Sequence, residues 1–82
     1  MTKVIKELTM VNKNQKGEVK HNKFYKIILL KQGSDHMIQT TWGRIGSDGT
    51  SKTEYCGEKS KCLIEMRKIA KLRKSHGYHF TN

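Results

Sequence analysis

Thr41-Trp42-Gly43-Arg44-Ile45-Gly46, followed by Gly49, is the most informative stretch of this 82-residue chain. Read as the end of a strand, side chains alternate between the two faces, so Trp42 and Arg44 point the same way. Gly43 between them leaves the backbone bare for a close approach. An indole can stack on a base or sugar and a guanidinium can grip a phosphate with two parallel bonds; stacking is worth about 1–3 kcal/mol per base. The same residues have an internal use as well, with the only tryptophan in the core and Arg44 as its cation–π lid.

Outward from this stretch, His36 to Ile45 reads as one strand. Ile38, Thr40, Trp42 and Arg44 share one face and Met37, Gln39, Thr41 and Gly43 the other. Gly46-Ser47-Asp48-Gly49 carries the Asp-Gly signal of a tight hairpin, is too short for a phosphate-binding P-loop, and leads into a returning strand from Ser51 to Tyr55. Upstream, Gln32-Gly33-Ser34-Asp35 is a turn. Phe24 to Leu30 is apolar on both faces apart from Lys26, which predicts a central strand covered on both sides. An N-terminal strand is expected over 4–11, and the polar stretch Asn12 to His21 as a basic loop.

From Glu58 to Ser75 there is no Gly or Pro, and Cys62, Leu63, Met66, Ile69 and Ala70 fall at helical spacing. Lys61, Arg67, Lys68, Lys71 and Lys74 form the outer face of this amphipathic helix, and Gly77 is its natural stop. Ile64 and Leu72 lie outside the apolar stripe, either under a terminal strand or in a self-association patch. His79-Phe80-Thr81 is long enough for a closing strand.

The net charge is +10, distributed as +6 over residues 1–31, −1 over 32–57 and +5 over 58–82. Such a charge favours polyanionic partners. The length allows one small domain and excludes barrels and doubly wound sheets. Cys56 and Cys62 read as reduced thiols of an intracellular, cytoplasmic protein, nucleoid-associated where it holds DNA. The start of the chain lacks the apolar core of a secretory signal, and nothing approaches a transmembrane span, so no membrane partner is expected. Cys56, Cys62, His76 and His79 have spacings outside the zinc-finger range, so no metal is expected. No cysteine shows a base and orienting partner in sequence, so neither catalysis nor a cofactor is expected. His21 beside Asn22 adds positive charge only at low pH.

Asn22-Lys23-Phe24-Tyr25-Lys26-Ile27 through Leu30, a turn, Trp42-Gly43-Arg44-Ile45-Gly46 with Gly49, then a strand, one helix and Gly77-Tyr78 resemble the WGR domain in order and spacing over residues 20–80. WGR domains occur in DNA-damage-activated poly(ADP-ribose) polymerases and as small or fused bacterial modules. The resemblance implies an α+β fold, a twisted antiparallel sheet with one amphipathic helix packed across it. It makes residues 1–82 a single domain with its WGR core at 22–80.

In those polymerases the domain recognises DNA breaks, with the motif tryptophan stacked at the 5′-terminal nucleotide. By this resemblance Trp42, Gly43 and Arg44 form the recognition motif and Asn22-Lys23 the donors near a terminal phosphate, with Lys52 and Lys74 as backbone contacts. Tyr25 and Tyr78 match packing aromatics. No transferase or helical regulatory segment follows within the 82 residues, so polymerase activity is not implied. The expected function is a non-enzymatic module binding DNA ends, nicks or gaps. The alternatives are an adaptor that docks a separately encoded protein, for example through Ile64 and Leu72, and a binder of single-stranded RNA or DNA. Oligomeric state is not legible in the sequence.

Overall fold

The computed structural model describes residues 2–14 and 21–81. Five strands, β1 (Thr2–Asn14), β2 (His21–Gln32), β3 (Asp35–Arg44), β4 (Thr50–Gly57) and β5 (His79–Phe80), accompany one helix, α1 (Lys59–Ser75). The strands form a single antiparallel sheet in the order β4-β3-β2-β1-β5. The fold is α+β, as the motif order implies.

Paired residues lie on the same face of an antiparallel sheet. The pairs Met10↔Tyr25, Leu8↔Ile27, Ile27↔Thr40 and Leu29↔Ile38 therefore define one apolar face. Onto it α1 lays Cys62, Met66 and Ala70, and the side chains of Met10, Ile27, Leu29, Ile38 and Cys62 are wholly buried. Two β-bulges feed this core. Pairing slips between Val4 and Lys6 in β1, and His36 and Met37 pair with Gly57 and Tyr55. The extra residues, Ile5 and Cys56, both pack against the core, because a bulge shifts the alternation by one.

Several sequence expectations change here. β2 is central in the sheet but is covered on one face only, and Phe24, Lys26, Ile28 and Leu30 on the other face stay half-buried. An apolar run cannot by itself distinguish two covered faces from one. β1 extends to Asn14 and β2 begins at His21, so Asn12, Lys13, Asn14 and His21 belong to strands rather than to the basic loop. Ladder bonds use the backbone, and polar residues join them readily when the partner strand continues. Residues 15–20 of the expected loop lie outside the described residues.

The tight hairpin is at Gly33-Ser34, where Gln32 pairs with Asp35. Gly33 has φ +65° while Ser34 is not in the positive-φ region, the pattern of a type II′ turn. The Asp48-Gly49 pair sits instead in the wider connection of residues 45–49 between β3 and β4.

The helix stops as its sequence suggests. Gly77, at φ +94°, donates its N–H to the Lys74 carbonyl, and Tyr78 donates to Arg73 O at 3.1 Å, which together make a Schellman motif. Arg73 and Lys74 in the last turn complement the helix dipole. Asn12 fastens this end to β1 by donating its side-chain N–H to the His76 carbonyl at 3.2 Å. Ile64 and Leu72 are each 52% exposed, so neither packs under the closing strand.

Candidate nucleic-acid interface

The helix stop has a direct consequence for the motif face. By turning the chain at Gly77 it brings Tyr78 edge-on to Tyr25, ring centroids 6.0 Å apart at 71°. Tyr25 also stacks with Trp42, at 6.1 Å and 22°. The Arg73 guanidinium caps Tyr25, 4.3 Å from the ring centroid. Tyr25 and Tyr78 are buried packing residues. Trp42 is half-buried, with Tyr25 alongside it. Among the described residues the cation seated on an aromatic ring here is Arg73 on Tyr25, and not Arg44 on Trp42.

The register settles which motif residues share a face. Tyr25↔Trp42 and Lys23↔Arg44 are consecutive same-face pairs, and Thr40↔Lys52 lies on that face too. Trp42, Arg44, Lys23 and Lys52 therefore project from the side of the sheet that carries α1, and the three cations are exposed. Lys52 makes an exposed ion pair with Glu54 at 3.1 Å, an interaction that contributes little to stability. Between this part of the sheet and α1 runs a cleft of about 380 Å³, with Thr40 and Trp42 among its lining and Lys52, Glu54, Glu65 and Arg73 along its sides.

Three expected contacts are not brought together with these. Asn22 precedes Lys23 in β2 and so projects from the opposite face; its carbonyl accepts a hydrogen bond from the Ile45 N–H at 3.0 Å. Lys74 lies across the helix from Trp42, its ammonium 4.9 Å from the Phe80 ring. The room at Gly43 is already occupied, since a Cβ there would meet Gly49 Cα at 2.9 Å and Ser47 Oγ at 3.2 Å. Gly43 and Gly49 are thus a matched pair that lets the connection fold back on β3. Ser47 closes it by donating its backbone N–H, at 3.0 Å, and its hydroxyl, at 2.7 Å, to the Arg44 carbonyl.

Arg73 is the residue that sequence reading passed over. It falls four residues after Ile69 and seven after Met66, so a cation in register with the apolar stripe was the available signal. Its Nε–H is buried without a hydrogen-bond partner, and the guanidinium is held by the Tyr25 ring. At the other end of α1, burial chiefly, with help from a hydrogen bond to the Cys56 thiol, pushes the Cys62 thiol well above its ordinary value of 9.0. This thiol is a core group, not a nucleophile. Among the described residues no three of His, Cys, Asp and Glu gather as a metal site. No helix of the described residues is long and apolar enough to cross a membrane.

A basic sheet with a stacked tryptophan and three exposed cations on one face belongs, by chemistry, to the class of small nucleic-acid-binding domains. The family model of the WGR domain matches residues 7–82, essentially the whole chain, and the protein belongs to that family. WGR domains are nucleic-acid-binding domains and not catalytic ones. No curated protein and no solved structure matches the chain.

Proposed function

We propose that this domain recognises DNA strand ends, nicks or gaps without catalysing a reaction on them. Trp42 stacks on the terminal nucleotide, Arg44 holds a phosphate in forked geometry, and Lys23 and Lys52 neutralise neighbouring phosphates. The observation that carries this reading is the shared face of these four residues, with Tyr25 bracing the indole from one side. A continuous duplex offers no open base plane to Trp42, whereas a strand end or a bent nick does. Asn22 fits an end-on approach, in which a terminal phosphate meets the start of β2 instead of the flat of the sheet. Lys74 and the other helix lysines add salt-dependent attraction.

The test is a titration of labelled duplexes that differ at one position, intact or nicked, with and without a 5′-phosphate at the nick. Wild type and Trp42→Ala are compared at two salt concentrations. The expected result is preference for the nicked, phosphorylated duplex and loss of that preference in Trp42→Ala. Equal and salt-erased binding to every duplex would reduce the function to general charge attraction.

A further inference from the structure

Two of the hollows beside α1 differ in charge. The one beside Trp42 carries Glu54 and Glu65 as well as Lys52 and Arg73, so it is balanced. The other, about 510 Å³, runs between α1 and the β1–β5 side of the sheet. Leu8, Leu63, Met66 and Phe80 give it an apolar lining. Lys6, Arg67, Lys71 and Lys74 stand around it, and among the described residues no carboxylate lines it. These four cations are exposed, and none takes part in an ion pair among the described residues.

We propose that this second groove is a docking site for an acidic amphipathic segment of a partner protein, one that sets apolar side chains into the groove and carboxylates against its cations. The proposal does not rest on the DNA-end reading, since the groove lies on the opposite side of the helix from Trp42. Charge complementarity selects the partner's sign: four cations outside any ion pair, with no acid between them among the described residues, favour a polyanion and repel a basic segment. The apolar lining selects its class. A phosphodiester chain satisfies the cations but leaves the half-buried Leu8 and Leu63 facing water. The single aromatic ring of the groove, Phe80, already carries the Lys74 ammonium at 4.9 Å, so it is not an open platform for a base. A peptide that alternates carboxylates with leucine or phenylalanine at helical spacing matches both features. The volume lies within the range of about 300–1,000 Å³ usual for ligand pockets.

The probe is a synthetic peptide of roughly 16 residues with Leu and Phe at i, i+3, i+4 and i+7 on an Asp/Glu background. Its control has every Leu and Phe replaced by Ser, and a blunt DNA duplex serves as competitor. Binding is followed by fluorescence anisotropy and by amide shifts in ¹⁵N-labelled full-length protein at physiological salt. The expected shifts fall on Leu8, Leu63, Met66, Lys71 and Phe80. The double variant Lys71→Glu/Lys74→Glu, at exposed positions, should weaken binding by about tenfold or more, while Trp42→Ala leaves it unchanged. Four outcomes overturn the proposal: no binding of the peptide, equal binding of the Ser control, shifts confined to Trp42–Arg44, or displacement by the duplex with the same groove amides moving. The last would hand the groove to nucleic acid.

Discussion

Gly49→Ala should be the most damaging small substitution in the β3–β4 connection. Two costs combine. At φ +75° an L-residue is in the left-handed region, a penalty of about 1–2 kcal/mol. The new Cβ would also stand 2.5 Å from the Trp42 carbonyl oxygen and 2.8 Å from Phe24 Cζ, closer than real Cβ atoms come. Part of the obstruction is β3 backbone, so relief requires the connection to lift away, and overpacking of this kind costs about 1–3 kcal/mol. The total, about 2–5 kcal/mol, corresponds to a fall in Tm of about 8–40 °C for a domain of this size. Gly33→Ala is the internal control: its φ is +65° but its Cβ meets nothing within 4 Å, so only the backbone cost applies, about 4–15 °C. Thermal unfolding followed by circular dichroism separates the two variants. Fluorescence of Trp42, the sole tryptophan, reports whether the native environment of the ring has changed. If Gly49→Ala melts within about 2 °C of Gly33→Ala, the steric half of the reasoning is wrong.

Leu29→Ala, in a fully buried position, should cost about 2–5 kcal/mol, whereas Ile28→Ala on the half-open face should cost clearly less; equal losses in denaturant midpoint would mean that both faces of β2 are covered. The raised Cys62 thiol keeps its proton in the folded state while an unfolded thiol loses it above about pH 9, so its contribution to stability is full below that pH and declines above it. Cys62→Ala should flatten this alkaline part of the Tm–pH profile, and an unchanged slope would refute the assignment. Iodoacetamide should modify native Cys56 ahead of Cys62, with Cys62 reacting only after denaturation. If Arg44, Lys23, Lys52 and one further cation meet phosphates, log K should fall with log salt at a slope of about −3.6 on duplex DNA, and a flat response would contradict phosphate contact.

Periodicity and turn chemistry carried most of the fold into the sequence. The alternation around Trp42 and Arg44, the helical spacing of Cys62, Met66 and Ala70, and the stop at Gly77 are local properties, set by backbone geometry within a few residues. They left the strands and the helix legible, and the common face of Trp42 and Arg44 with them, while the α+β arrangement followed from the resemblance in motif order. Less was visible where partners come from distant chain segments. The extension of β1 and β2 through Asn12–Asn14 and His21 depends on each strand having the other to bond, which composition does not record.

The same limit governs the candidate interface. Sequence alone supplied the residue types and the two-residue step between Trp42 and Arg44, because side-chain direction along one strand follows from the pleat. It could not tell which further groups join them. Tertiary structure brought Lys23 and Lys52 onto that face, left Asn22 on the other, put Lys74 across the helix and filled the room at Gly43 with Gly49. It also closed Arg73 over Tyr25, through contacts 48 residues apart in the chain. Those placements rest on strand register, on the two bulges and on the packing of one helix, each fixed by contacts between segments that no local pattern connects.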